Sequence, residues 1–276
     1  MCRTLASFIL IVAMLFSGCR GLPRPASLPA AHQIPVEQLV FHCDFDLTPD
    51  NPLVRQLTAE RANICSVLAL PGSNEPIDVY LFRDADSYGQ FLAKRFPTVP
   101  TRRAFFVESD TRLSVYAHWS DRVGEDLRHE VAHGYLHSMV PGLPLWLDEG
   151  LAEYFEVPRG NDGFNQPHLE LLADMMNYND WRPNLSRLAT LTEAGQLDQR
   201  DYAESWAWVY FMLHSDAENR RLLVSYLADL RTGSAADSLP ARLAARSDAT
   251  DETLADFLTA RSTEMLAATM KMQNAK

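Results

Sequence analysis

The chain has few cysteines, no internal repeat, and a single apolar run of any length. Only four of its 276 residues are cysteine, which excludes a small disulfide scaffold. No low-complexity tract is present, so a disordered tail or a collagen-like array does not fit either. Positive charge is also in deficit. The 25 Lys+Arg residues face 36 Asp+Glu, a formal net charge of −11. A chain so balanced repels phosphate backbones, and no nucleic-acid partner is expected. Beyond residue 16 no stretch approaches the ~20 apolar residues that a bilayer span requires. What is left is 47% hydrophobic and 22% charged, the composition of a globular chain long enough to bury a real core.

The one apolar run explains how the chain is addressed. Arg3 precedes Leu5 to Phe16, and Ser17-Gly18-Cys19 follows. A short cationic start, an apolar core and small residues at the end define residues 1–18 as an export signal. Phe16-Ser17-Gly18-Cys19 resembles the bacterial lipobox, with Phe where Leu or Val is usual. That resemblance implies acylation of Cys19 and a lipid-anchored protein of the bacterial cell envelope; simple cleavage of the signal is the alternative. Residues 19–35 carry Pro23, Pro25, Pro29 and Pro35 and read as an extended tether. Cys2 leaves with the signal, so Cys43 and Cys65 remain. In an oxidising compartment they could pair across about 23 residues, or stay as two buried thiols.

From residue 36 onward the pattern is that of one domain with two lobes. Gln38 to Leu47 is strand-like, and Asn51 to Leu70 is helical by the spacing of Leu53, Leu57, Ile64 and Leu68. Ile77 to Phe82 follows as a strand, and Ala85 to Phe96 as a helix stopped by Pro97. Arg103 to Glu108 and Leu113 to Trp119 form two β-rich runs joined by Ser109-Asp110-Thr111, a hairpin signal. After Ser120 the chain turns helical. Ser215 and Glu218 read as a capping box whose helix ends at Gly233, and Thr250 to Met272 as a long amphipathic helix. The expectation is an α+β fold: a small mixed or antiparallel sheet with helices over 36–120, then a helical lobe over 121–276.

The junction carries the chemistry. In Leu127-Arg128-His129-Glu130-Val131-Ala132-His133 the two histidines stand four apart. On a helix both imidazoles therefore project from one face, one turn apart, and can share a Zn²⁺ at about 2.1 Å each. Glu130 is rotated about 100° away, so it can reach the attacking water as a general base without binding the metal. Pro141-Gly142-Leu143-Pro144 then breaks the helix, and Leu145 to Glu156 starts another. A tight antiparallel return brings Glu149 towards the level of His133, where it is well placed as the third ligand. Glu153, one turn further, is expected to hold the ring N–H of a ligand histidine; Glu153 as the ligand itself is the alternative. Three protein ligands leave a position open, as catalysis requires.

His129-Glu130-Val131-Ala132-His133, with Glu149 sixteen residues later in Trp146-Leu147-Asp148-Glu149-Gly150-Leu151-Ala152-Glu153-Tyr154-Phe155, resembles the gluzincin metallopeptidases. Most similar is the bacterial MA-like peptidase family of unknown function. The resemblance is tight over 127–156. It implies that Glu149, at the start of the E-G-x-A segment, is the third zinc ligand. Tyr202-Ala203-Glu204-Ser205-Trp206 is a looser likeness, and through it Tyr202 becomes the candidate donor to the reaction's oxyanion. Its helical stripe with Trp206, Val209 and Leu213 favours core packing instead. His214, Tyr210 and His118 are weaker candidates. The long metzincin pattern is absent, since Leu136 and Met139 occupy its Gly and His positions, and His137 lies about 12 Å along the helix from His129. The Gly-x-Met-Glu-Asn exopeptidase signature is missing too. The expected function is thus zinc-dependent hydrolysis of peptide or protein substrates, with one Zn²⁺ per chain and Glu130 as base. The alternatives are a non-catalytic envelope scaffold or metal-binding protein, and a zinc amidase acting on a cell-wall bond. Strand Leu113 to Trp119, if it forms the sheet edge by the cleft, would pair with an extended peptide.

Overall fold

A computed structural model describes residues 27–97, 102–246 and 250–274. Residues 1–18 and Cys19 lie outside these, as does the first part of the expected tether, up to residue 26. The described chain opens with β1 (His32–Val36), β2 (Leu39–Cys43), α1 (Pro52–Leu68), β3 (Ile77–Phe82) and α2 (Ala85–Arg95). It continues through β4 (Ala104–Ser109), β5 (Arg112–His118), α3 (Val123–Met139), α4 (Leu145–Phe155) and α5 (Gln166–Tyr178). The remaining helices are α6 (Leu185–Leu188), α7 (Gln199–His214), α8 (Ala217–Thr232), α9 (Leu239–Ala244) and α10 (Asp251–Asn274). The fold is α+β, with a five-stranded mixed sheet in the first half and a helical second half.

Strand order is β1-β2-β3-β5-β4. The hairpin expected around Ser109-Asp110-Thr111 is present, pairing β4 with β5 antiparallel from Ala104↔Ala117 to Ser109↔Arg112. Period-two alternation sends the strand side chains into two cores. Ile77, Val79 and Leu81 of β3 and Leu113, Val115 and Ala117 of β5 join the main core with α1, α3 and the helical lobe. Tyr80, Phe82 and Phe105 face the other way, onto Tyr88, Phe91 and Leu92 of α2. Gly134 lets α3 lie close on the sheet, because a Cβ there would meet Ile77 Cγ2 at 3.0 Å.

Four expectations need correction. The tether ends sooner than its prolines suggest: β1 occupies His32–Val36 and includes Pro35, which an edge strand tolerates because the missing N–H can face outward. Secondly, β5 is an inner strand, and the edge beside α3 is β4. Thirdly, α8 is capped by Asp216, whose side chain accepts from the amides of Glu218 and Asn219. Ser215 is still helical at the end of α7, so it cannot supply the extended backbone an N-cap needs. Gly233 does end α8, in the left-handed conformation.

The fourth correction concerns Cys43 and Cys65, which are free thiols rather than a disulfide. Cys65 Sγ sits 3.7 Å from Met139 Sδ at the end of α3. The start of β2 lies at that same end, with Gln38 Nε2 donating to Ser138 Oγ at 2.9 Å. Cys43 is at the far end of β2, roughly 15 Å along the strand, and Cα atoms more than about 7 Å apart cannot be bridged. Both thiol pKa values are raised by burial.

Candidate metal centre

The centre is built on the α3–α4 hairpin. One face of α3, with Leu127, Val131 and Tyr135, is committed to the core, which turns His129 and His133 towards α4. Val140 leaves the helix with extended backbone, Gly142 takes φ +70°, and Pro144 precedes the first turn of α4. The antiparallel return places Glu149 opposite both imidazoles. Glu149 Oε2 lies 3.4 Å from His129 Nε2 and 3.4 Å from His133 Nε2. The two Nε2 atoms are 3.2 Å apart. Two imidazoles and a carboxylate around a tetrahedral ion at about 2.1 Å stand about 3.4 Å from one another. These three atoms already have that spacing. Glu149 Oε2 is, moreover, buried and accepts no hydrogen bond, a costly state for a carboxylate unless a cation meets it.

Further carboxylates fix the rings. His133 Nδ1 is 2.9 Å from Asp148 Oδ1, and His129 Nδ1 is 3.2 Å from Glu156 Oε2. Each Nδ1–H therefore donates outward and each Nε2 lone pair points to the shared centre. Asp148 is itself held by His137, whose Nε2 donates to Oδ2 at 2.9 Å while its Nδ1 faces Glu108 Oε2 of β4 at 2.6 Å. Although burial works against the charged ring, Asp148 and Glu149 carry the His133 pKa up to about 10. In return, and against their own burial, the imidazoles hold Glu149 down to about 2 and Asp148 well below the carboxylate range. Burial raises Glu130, with His129, His133 and Arg102 pulling the other way.

Glu153 does not hold a ligand ring, as its spacing suggested. Its Oε2 is 2.7 Å from His168 Nε2 on α5, and Glu156 performs the expected task. The reason is the antiparallel hairpin: later residues of α4 meet earlier residues of α3. Asp148 thus meets His133, and Glu156 meets His129. Two other groupings could hold a metal ion by proximity alone, His133–His137–Asp148 and His129–Glu153–Glu156. In the first, Asp148 is hydrogen-bonded to both rings at 2.9 Å, shorter than the edges of a metal tetrahedron; in the second, Glu153 is taken by His168 at 2.7 Å and Glu156 by His129 and Asn165. The trio with Glu149 fits best.

A cleft of about 400 Å³ opens beside His129 and Glu130 and is also lined by Arg102 and Ala104 at the start of β4. Tyr202, half-buried in the first turn of α7, leaves its stripe-mates Trp206, Val209 and Leu213 in the core. Burial and the Glu149 carboxylate push its hydroxyl pKa up, while Arg102 beside it pulls it down. His214 bonds the Tyr154 hydroxyl at 3.0 Å and stacks on Tyr210, and His118 lies against Tyr88. None of these three joins the centre. Sequence reasoning missed Asp148, Glu156, His137, Arg102 and His168. Glu156 had a signal, being two turns from Glu149 on one helix face; His168 and Arg102 arrive from separate segments and had none.

Asp148→Asn tests the outer shell of carboxylates. The amide keeps an acceptor for His133 but loses the charge, and metal affinity is expected to fall about 10- to 100-fold. Competition titration with a chromogenic zinc chelator reads this directly; unchanged affinity would show that Asp148 does not tune the ring.

Fold and centre together define an α+β protein with a buried His-His-Glu site able to hold a metal ion. A family model described as a protein of unknown function (DUF1570) matches residues 125–234, from the first turn of α3 to just past α8. Over that stretch, which includes the entire trio, the chain is similar to that family. No curated protein matches the chain.

Proposed function

We propose that the protein is a zinc-dependent metallopeptidase of the gluzincin type, hydrolysing peptide bonds in peptide or protein substrates. The single observation that carries this is the unbonded, buried Glu149 Oε2 set 3.4 Å from two imidazole nitrogens. Two nitrogens and one oxygen in tetrahedral array suit zinc, and a fourth position left to solvent suits catalysis rather than structure. When bound, the ion would polarise the scissile carbonyl and make water a better nucleophile near neutral pH.

The chain's own groups divide the remaining work. Glu130 lies on the cleft wall beside a ligand without being one. It takes the proton of the attacking water and returns it to the leaving amine. Its raised pKa suits a group that must both accept and release that proton. Tyr202, whose hydroxyl feels the charges of Glu149 and His129, is the donor to the oxygen that gains charge. The edge strand β4 runs beside α3, with Ala104 at the cleft and Glu108 at His137, and offers a backbone ladder to an extended substrate. Export to the bacterial envelope with a lipid on Cys19 is part of the same proposal, supported by the signal-like start of the chain.

The proposal is tested by incubating the purified protein with a broad peptide library. Cleavage is expected to stop on chelation and to return with about one equivalent of zinc. Cleavage that is unaffected by exhaustive chelation would contradict the metal chemistry.

A further inference from the structure

The cleft carries charges of both signs, and nearly all of them are already matched. Arg103 clasps Asp126 with two nitrogens, at 2.6 and 3.0 Å. Glu125 pairs with Arg122, and Glu153 with His168 at 2.7 Å. Glu156 is taken by His129 and by Asn165 Nδ2, each at 3.2 Å. Two charged groups remain. Glu130 is the general base proposed above. Arg102 is half-buried on the same wall, beside the Tyr202 hydroxyl, and has no carboxylate within ion-pair distance among the described residues.

A half-buried guanidinium that bonds the Tyr202 hydroxyl and feels Glu130 without forming an ion pair keeps part of its five-donor fork free to receive an anion. Arg presents a planar fork that matches a carboxylate with two parallel hydrogen bonds. We infer that Arg102 is a substrate-binding residue and that the preferred substrates carry a carboxylate close to the scissile bond. Two sources share that chemistry: the free C-terminus of a peptide, and an Asp or Glu side chain near the cleaved bond. Arg102 stands two residues before β4, the strand along which an extended peptide would lie. A carboxylate held there fixes the register of the substrate on that edge. The neighbouring acids then act against mispositioning, since a second carboxylate deeper in the cleft would meet Glu130, Glu153 and Glu156. The inference rests on the peptidase reading.

The test compares matched peptides with the full-length protein: a free C-terminal acid against its amide, and an internal Asp or Glu against Asn or Gln. One of these pairs is expected to show a preference of about 10- to 100-fold in kcat/KM for the acid, the scale of a charge-assisted bidentate contact. Arg102→Gln should erase that ratio, and Arg102→Lys should keep part of it, because the charge remains and the fork does not. Which pair responds identifies the source of the carboxylate. The same peptides are then titrated calorimetrically against Glu130→Gln protein. Acid-selective binding that depends on Arg102, without cleavage by wild type, would support the carboxylate site and reject the peptidase reading. Cleavage with no preference for either acid, or a preference that survives in Arg102→Gln, would overturn the site while leaving the peptidase standing. Absence of both cleavage and acid-selective binding would overturn it as well.

Discussion

Glu130→Gln is expected to keep its metal and to lose peptide hydrolysis by at least about 100-fold, the usual scale for removal of a general base. The substitution preserves size and hydrogen bonding and deletes only the basic oxygen. Glu130 is not among the atoms that stand 3.2–3.4 Å from one another around the centre, so zinc affinity should stay within a few-fold of wild type. Glu149→Gln should behave otherwise, weakening affinity and activity together, because a ligand charge is lost. Glu156→Gln should fall between them, with affinity reduced about 10- to 100-fold through the His129 ring it holds. Glu153→Gln should leave affinity nearly intact, since its partner is His168. Zinc titration and steady-state kinetics on the four variants read the order. Loss of zinc in Glu153→Gln with retention in Glu149→Gln would move the ligand one helical turn.

A large loss of stability is expected from a single added carbon at Gly150. Gly150 faces α7 so closely that a Cβ would lie 2.4 Å from Ser205 O and 2.7 Å from Ser205 C. Both are backbone atoms, and α4 and α7 must part to make room. Overpacking of this kind costs about 3 kcal/mol, which corresponds to roughly 10 °C in thermal midpoint for a chain of this size. Because Gly150 follows Glu149 directly, Gly150→Ala should also shift that carboxylate out of line with the imidazoles and lower metal affinity. Thermal unfolding of the metal-free protein isolates the packing cost from the metal contribution. A midpoint within about 2 °C of wild type would mean that the two helices are not held at this spacing.

What the sequence could reveal was local. Four-residue spacing aligned His129 and His133, the Pro141-Gly142-Leu143-Pro144 break folded Glu149 back onto them, and alternation around Ser109-Asp110-Thr111 marked β4 and β5. Each of these readings needs only the geometry of one element or one turn. The failures were non-local. The order β3-β5-β4 depends on a parallel pairing between β3 and β5, which no turn announces, so the free edge was assigned to the wrong strand. Pro35 disguised β1, whose partner β2 lies beyond it. Asp148, Glu156 and Glu153 sit in one legible segment, yet their roles depend on which way α4 runs past α3, and that antiparallel pairing gave Glu156 the task expected of Glu153. His168 and Arg102 come from segments that carry no periodic or motif signal. Cys43 and Cys65 show the same limit, since their separation is set by the length of β2 rather than by the loop between them.

The central claim is that His129, His133 and Glu149 hold one catalytic zinc ion next to a base that does not bind it. Metal content of purified wild type, Glu130→Gln and His133→Ala, measured by mass spectrometry on the same samples assayed for peptide cleavage, tests it most directly. The expected result is about one zinc per chain in wild type and in Glu130→Gln, cleavage in wild type alone, and neither zinc nor cleavage in a folded His133→Ala. Stoichiometric zinc in His133→Ala, or undiminished cleavage by Glu130→Gln, would contradict it.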